Sequence, residues 1–375
     1  MAKINRNTKL KVASFFCGCG GMDLGIQGGF DFLSKKYSKL PYEVVYAVDN
    51  DKYSTAIYND NFKHKCETKD VRDIQIEDLP KYDVLLGGFP CQSFSISAQN
   101  PPRLGYKDDR GKLFFEMVKA LKSNKPRFFI AENVKGLLSA NRGKAFPMIV
   151  KEFEKAGYHL KFKLFNSSKF GIPQKRQRIF IIGFKFYEDF AYFNFPSETT
   201  LNGAMVPLKT VIDLDANEDE KWFFSQKAVD GMLRVKEKMN KGRAQSLDEP
   251  CNTISSHLSK VSLNSTDPVL MINEKYRRFT PREAASIQSF PTSFNLDSVS
   301  DNRQYRAIGN AVPPVLMWHI GKALSKILVN KPEHNRHIHP QVADSSHTNQ
   351  NLAKSMSSPS EMETKKKKKK TQQCI

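Results

Sequence analysis

The chain has 375 residues, with 59 Lys and Arg against 39 Asp and Glu and a formal net charge of +20. That length allows two domains and a sizeable core, and the charge favours a polyanionic partner, with nucleic acid the default. No apolar run approaches a membrane span, and six scattered cysteines without a C-x-x-C pair or a readable targeting segment argue against a disulfide scaffold or structural zinc. Without the lysine run at 365–370 the chain stays strongly basic.

In chain order, residues 12–16 predict a first strand that runs into Cys17-Gly18-Cys19-Gly20-Gly21-Met22-Asp23, a glycine-rich turn opening a helix. Glycines there let backbone approach a ligand closely. The spacing does not meet the dinucleotide fingerprint G-x-G-x-x-G. A second strand, 43–48, ends in Asp49-Asn50-Asp51, where an acid either bonds a ribose hydroxyl pair or caps the next helix, 52–62. Asp70, followed by Val71, reads equally as an acceptor for an adenine amino group and as a turn aspartate.

The apolar run 83–86 predicts a buried parallel strand that stops at Gly87-Gly88-Phe89-Pro90-Cys91. Open α/β sheets keep their ligands at this carboxyl edge. Pro90 has a fixed φ and confines Phe89 to extended backbone, so the Cys91 sulfur hangs from rigid main chain. Taken alone, such a cysteine is more readily a small buried hydrophobe than a nucleophile. A long polar stretch, 95–110, reads as a functional lid or a disordered loop.

A helix over 112–121 and a strand over 127–131 follow, the strand delivering Glu132-Asn133-Val134 to the same edge. Gln174-Lys175-Arg176-Gln177-Arg178 precedes a strand at 179–182. From about 184 the βα rhythm fades into a mixed, loop-rich region. It holds an aromatic patch (Trp222, Phe223, Phe224) and a basic cluster (Arg234, Lys236, Lys238, Lys241, Arg243) that reads as a solvated face or a phosphate contact. A helix over 281–288 has Pro281 in its first turn, and Gly309-Asn310-Ala311-Val312-Pro313 opens a closing helix over 315–328. The polar tail beyond, with its histidines and lysine run, has the composition of a disordered segment.

The blocks Phe16-Cys17-Gly18-Cys19-Gly20-Gly21, Gly88-Phe89-Pro90-Cys91-Gln92, Glu132-Asn133-Val134, Gln174-Lys175-Arg176-Gln177-Arg178, Arg282-Glu283-Ala284-Ala285 and Gly309-Asn310-Ala311-Val312-Pro313 resemble, in order, those of the cytosine-C5 DNA methyltransferases of bacterial restriction-modification systems. Each block alone is a weak signal; the ordered set is specific. It covers nearly all of the chain outside the tail and a region of about 186–275. The resemblance implies an α/β fold: a Rossmann-like S-adenosylmethionine-dependent methyltransferase sheet with a second, smaller, irregular target-recognition domain. The expected layout is a catalytic domain at 1–185 and 302–330, target recognition at 186–301, and a disordered basic tail at 331–375. Thr253-Ile254 is similar to a Thr-aliphatic pair found in many such recognition regions.

By the same resemblance Cys91 is the nucleophile that adds to carbon 6 of cytosine, and Glu132 holds or protonates the ring at N3. Arg178 binds the base oxygen and orients the acid, Arg176 stands with them, and Asn133 fixes the nearby backbone. The methyl donor is S-adenosylmethionine, lying against Phe16, Gly18, Cys19, Gly21, Asp49, Asn50, Asp70, Val71, Gly88, Asn310 and Val312, and no metal is required. Asp49 stands where many relatives carry Glu, and Cys17 and Cys19 occupy variable positions that suit small packed residues. The implied partner is double-stranded DNA, from which the cytosine must be flipped out. The resemblance implies a cytoplasmic, DNA-associated, monomeric enzyme, either with a cognate restriction endonuclease as its functional counterpart or solitary. The nearest rival is a transfer-RNA cytosine-5 methyltransferase. Gln92-Ser93-Phe94-Ser95 and the substantial recognition region favour DNA.

Overall fold

The run Leu10–Phe15 forms strand β1, followed by β2 (Tyr42–Asp49), β3 (Glu67–Thr68), β4 (Val84–Gly87), β5 (Phe128–Val134), β6 (His159–Asn166) and β7 (Gln177–Phe184). These seven make one sheet in the order β3-β2-β1-β4-β5-β7-β6. β1 to β5 pair in parallel, while β7 runs antiparallel between β5 and β6. The computed structural model describes residues 9–90, 113–199, 205–213, 219–235, 244–260 and 267–329. Cys91, the 95–110 stretch, most of the basic cluster at 234–243 and the tail lie outside the described residues.

The central strands are apolar along most of their length because both faces of the sheet are covered. One face, through Val12, Val44, Leu86 and Ile182, packs on helices α1 (Gly21–Gln27) and α9 (Pro314–Val329); the other, through Ala13, Phe15, Leu85 and Phe129, packs on α3 (Leu113–Asn124) and α4 (Ala145–Lys155). Helix α2 (Lys52–Asn61) starts where the Asp51 carboxylate accepts the Tyr53 N–H. β6 is the outer strand, and its alternating Lys161 and Lys163 suit an edge that must resist further pairing.

Beyond β7 the elements are short: α5 (Tyr187–Tyr192), α6 (Gln226–Val235), a two-residue pairing of Cys251–Asn252 with Gln174–Lys175, and a hairpin of Leu270–Ile272 with Lys275–Arg277. Then come α7 (Pro281–Ile287) and α8 (Asp301–Asn310). The start of α7 is fixed by a capping box between Thr280 and Glu283, with Pro281 at the first helical position. A third buried cluster joins Leu208, Trp222, Ile254, Leu270, Phe279, Phe290, Tyr305 and Ile308 to Cys19 and Ile57. The irregular region thus has a core, and that core is continuous with the glycine turn, α2 and α8.

Among the described residues no helix is long and apolar enough to cross a membrane, and no group of three His, Cys, Asp or Glu could hold a metal ion.

Candidate active site

β5 and β7 bring an acid and a base together at the carboxyl edge of β5. Glu132 lies opposite Phe180 and Val134 opposite Arg178, so Arg178 sits diagonally across from Glu132. The Arg178 Nε lies 3.0 Å from the Glu132 Oε1, with both side chains only 12% exposed. Burial pushes the Glu132 carboxyl above its ordinary pKa, against the opposing pull of the Arg178 and Arg176 charges. The result is a carboxyl that keeps its proton more readily than an exposed one.

Gly88 borders this pair, since a Cβ placed there would sit 3.5 Å from the Glu132 Oε2. The next residue on β5, Asn133, is buried; its Nδ2 donates to the Phe89 carbonyl at 3.0 Å and its Oδ1 accepts the Val134 N–H at 2.9 Å. The Phe89 ring is buried against Phe114, with centroids 6.0 Å apart. Main chain leading into Pro90 is therefore held from both its backbone and its side chain.

The turn after β1 forms a second cluster. Phe16 and Gly18 adopt φ of 56° and 57°, and the Gly18 N–H donates to the Asp49 Oδ2 at 2.9 Å. The other Asp49 oxygen accepts the Asp51 N–H, also at 2.9 Å. Burial raises the Asp49 pKa, while these N–H donors oppose the rise. No atom lies within 4 Å of a Cβ built on Gly18, so open space adjoins the Asp49 carboxylate. Such a cradle suits a nucleoside-bearing cofactor.

Farther along that turn, a Cβ on Gly21 would meet the Val312 carbonyl at 2.3 Å, so the turn and the segment before α9 are in backbone contact. Cys19 is buried, with its Sγ 3.7 Å from the Ala307 carbonyl. Asp70 caps a short 3₁₀ turn that begins at buried Val71. Its carboxylate takes the Arg72 Nε and Nη2 at 2.9 and 2.8 Å, which with a bond from the Asn50 side chain holds its pKa below the usual range. Asn310 is exposed at the end of α8, and Val312 is buried.

Arg176, whose charge also acts on Glu132, is 1% exposed, and its guanidinium donates to the carbonyls of Ile254 (2.9 Å), Gly309 (3.0 Å) and Ala311 (3.0 Å). Gln174, which opens the same run, is fully buried. Its Nε2 donates to the Gln288 Oε1 at 2.8 Å, and its Oε1 accepts the Ile254 N–H at 2.9 Å. Sequence reasoning gave neither glutamine a role; the only signal was that Gln174 begins a charged run just before a strand. The buried trio Ser14, Asp23 and Tyr58 behind the glycine turn, bonded at 2.9 and 3.1 Å, carried no signal either.

Comparison with known proteins follows the same lines. A profile of the family described as C-5 cytosine-specific DNA methylase matches residues 10–326. The Type II methyltransferase M.Bsp6I of Bacillus sp. (strain RFL6) is 32% identical over 333 residues, covering 85% of this chain and 100% of that protein. The Type II methyltransferase M.FnuDI of Fusobacterium nucleatum is 32% identical over 352 residues, covering 88% and 98%. Among solved structures, the Entamoeba histolytica methyltransferase EhMeth superposes with a TM-score of 0.67 at 19% identity, covering 85% of this chain and 99% of that one. The S. pombe Dnmt2 methyltransferase does so with 0.67 at 18%, covering 86% and 100%. At those identities the two structures speak to the fold alone.

Proposed function

The chain belongs to the C-5 cytosine-specific DNA methylases and is a DNA (cytosine-5) methyltransferase of the Type II restriction-modification kind; on that premise we propose that it acts on a cytosine turned out of a specific duplex sequence, through a transient bond between the Cys91 sulfur and carbon 6. The family implies S-adenosylmethionine as methyl donor and double-stranded DNA as substrate. The observation that carries the mechanism is the Glu132–Arg178 pair, bordered by Gly88 three residues ahead of Cys91.

Carbon 5 of cytosine is too weak a nucleophile to take a methyl group directly. Addition of a thiolate to carbon 6 converts the ring to an enamine whose carbon 5 can attack. A free thiol has a pKa of about 8.5, so Cys91 must lose its proton as the reaction begins. Glu132 is suited to hold a proton at ring N3 while the sulfur adds, and Arg178 to bind the base oxygen and orient the carboxyl. Asn133 fixes the carbonyl of Phe89, two residues before the nucleophile. When bound, S-adenosylmethionine supplies a methyl group made electrophilic by its sulfonium centre. The carbon 5 proton then passes to a base, its electrons close the 5,6 double bond as the carbon 6–sulfur bond breaks, the N3 proton returns to Glu132, and thiolate and neutral 5-methylcytosine are released. On this reading Phe16, Gly18, Cys19, Gly21, Asp49, Asn50, Asp70, Val71, Gly88, Asn310 and Val312 line the cofactor, and Arg176 positions its neighbours through the carbonyls it holds.

We read the region 186–301 as the one that selects the DNA sequence, since its short, irregular elements gather in a buried cluster beside the seven-stranded sheet rather than extending it, and we take the chain to act as a monomer. Its setting is the bacterial cytoplasm, where the Type II character of the relatives supports an endonuclease acting on the same site. Incubation with S-adenosylmethionine and a duplex in which 5-fluorocytosine replaces cytosine tests the chemistry, because fluorine cannot leave carbon 5 as a proton does. A covalent adduct mapping by mass spectrometry to Cys91 is expected, and its absence would remove the nucleophile assignment. Methyl incorporation into duplex DNA and into transfer RNA, run side by side, tests the substrate class. Preference for RNA would reverse it. Bisulfite sequencing of DNA from expressing cells then reads out the site.

A further inference from the structure

Three segments that the reaction must coordinate meet at one buried guanidinium. Residues 251–254 run alongside 173–176: Cys251 and Asn252 pair with Gln174 and Lys175, the Cys251 N–H donates to the Pro173 carbonyl at 3.0 Å, and the Thr253 Oγ1 donates to the Lys175 carbonyl at 3.0 Å. Arg176 closes this zipper on Ile254, and with its other nitrogen it holds Gly309 and Ala311. Behind it, Gln174 links Ile254 to Gln288, whose Nε2 donates to the Ile308 carbonyl at 2.9 Å.

Gly309 leaves no slack in the arrangement, because a Cβ there would lie 2.3 Å from the Ser255 carbonyl group and 2.4 Å from the Ser256 nitrogen. Three residues on, the Val312 carbonyl abuts Gly21 of the glycine turn. Two residues beyond Arg176, Arg178 pairs with Glu132. A continuous path of side-chain hydrogen bonds to carbonyls and close backbone approaches thus runs from the Thr253 segment through Arg176 to the 309–312 turn and the glycine turn.

Building on the methyltransferase reading, we infer that Arg176 is a positioning residue that couples DNA engagement at the 253–256 segment to cofactor binding at the 309–312 turn. DNA seated on that segment fixes Ile254 and Ser255, and the guanidinium and the Gly309 contact pass the constraint to Val312 and Gly21. Linkage then requires that cofactor tighten DNA by the same factor by which DNA tightens cofactor. A fork that reaches three carbonyls on two segments is a geometry that arginine provides and lysine does not.

The test uses the full chain, S-adenosylhomocysteine as an unreactive cofactor probe, and two duplexes: one carrying the site found by bisulfite sequencing, one with that site scrambled. For the wild type the cognate duplex should tighten the probe about ten-fold or more, within the usual 5–150-fold range of coupled sites, and the scrambled one should not. In Arg176→Met the enhancement should fall to about three-fold or less, with Arg176→Lys between. A merely structural staple would instead lower thermal stability and leave the enhancement factor unchanged. Should the Arg176 variants fail to fold, Thr253→Val removes only the hydroxyl bond to Lys175 at the path's far end, and it too should lower the factor. Undiminished enhancement in every folded variant, or a wild type that methylates duplex DNA with no enhancement at all, overturns the coupling and leaves the enzymatic reading standing. A wild type that methylates no duplex DNA overturns both.

Discussion

Glu132 and Arg178 lie diagonally across two antiparallel strands, two residues out of direct register and so on the same face, with the Nε 3.0 Å from the carboxylate. The pair is protected from water, and the burial of Glu132 outweighs the cations beside it, so its pKa lies above the ordinary carboxyl value. Removing the acid by Glu132→Gln should cost about 10²–10⁴-fold in kcat, the usual share of a positioned acid, with cofactor affinity kept. Arg178→Met removes a positive neighbour that favours the ionised form, so the Glu132 pKa rises further. The rate falls, and its remaining decline on the alkaline side, where the acid loses its proton, moves to higher pH. Single-turnover methylation across pH reads both effects, and an unshifted alkaline limb in Arg178→Met would separate the two residues.

Asn133 supplies both a donor and an acceptor from a buried site, and its donor is spent on the carbonyl of Phe89. Asn133→Ala leaves that carbonyl and the Val134 N–H without their partner, a loss of about 1–3 kcal/mol for each buried group. Part of this loss should appear as misplacement of the chain entering Pro90. The expectation is a kcat lower by about 10–100-fold with DNA affinity close to wild type. Comparing burst amplitude with duplex binding separates this from general unfolding.

Some of the quoted blocks sit where a strand ends, and such ends are legible where an apolar run stops in glycine or acid. Val84–Gly87 and Phe128–Val134 are such cases. Two elements between them and β7 were not legible. Ala145–Lys155 has Lys144 ahead of it with no side-chain cap to mark its start, and β6 alternates Lys161 and Lys163 with apolar residues, so its apolar run is broken where those of the buried strands are continuous. Helix α8 escaped because Asp301–Asn310 is polar on average, and its buried residues, among them Tyr305 and Ile308, pack on the third cluster rather than on the sheet. The place of Arg176 was also hidden. Its sequence neighbours mark it as a companion of Arg178, and its charge does act on Glu132, while its hydrogen-bond partners are carbonyls 78, 133 and 135 residues away, which no local pattern encodes.

Gly21 and Gly18 stand in the same turn but should respond differently to alanine. At Gly21 the new Cβ would press on the Val312 carbonyl at 2.3 Å and on the Phe290 ring at 3.3 Å, forcing the turn and the 309–312 segment apart. Overpacking of this kind typically costs about 1–3 kcal/mol, and here it should appear as weaker cofactor binding by about ten-fold or more. Gly18→Ala meets no atom, and its penalty is the left-handed φ of 57° alone, about 1 kcal/mol. Calorimetric titration with S-adenosylhomocysteine should therefore rank Gly21→Ala well below Gly18→Ala.

Arg277 and Glu283 form a bidentate pair at 0% and 1% side-chain exposure, with both contacts at 2.8 Å. The carboxylate also takes the Thr280 and Asp213 N–H groups, which ties the start of α7 to the segment 205–213. Breaking such a pair from one side strands a buried charge, and Arg277→Met should lower unfolding stability by about 3–5 kcal/mol. Replacing both partners with apolar residues should recover only part of that loss, because the Thr280 and Asp213 N–H groups then lose their acceptor. Urea denaturation of the two variants decides whether the pair is held by its charges or merely fills space.

Asp23 offers a sharper pH signature, because burial raises its pKa from 3.8 to about 6 despite hydrogen bonds from Ser14 and Tyr58. Below pH 3.8 the carboxyl is protonated folded and unfolded alike. Between that value and about 6 the folded state binds the proton more tightly, so stability falls as pH rises through the interval. With about 1.36 kcal/mol per pKa unit, the loss approaches about 3 kcal/mol by neutral pH. Asp23→Asn carries no such proton and should escape this decline. The difference in Tm between variant and wild type should therefore grow in the variant's favour from pH 4 to pH 7 and then level off. A difference that stays flat over that range would mean that Asp23 ionises in the fold as readily as in water, and that the Ser14 and Tyr58 donors fully offset its burial.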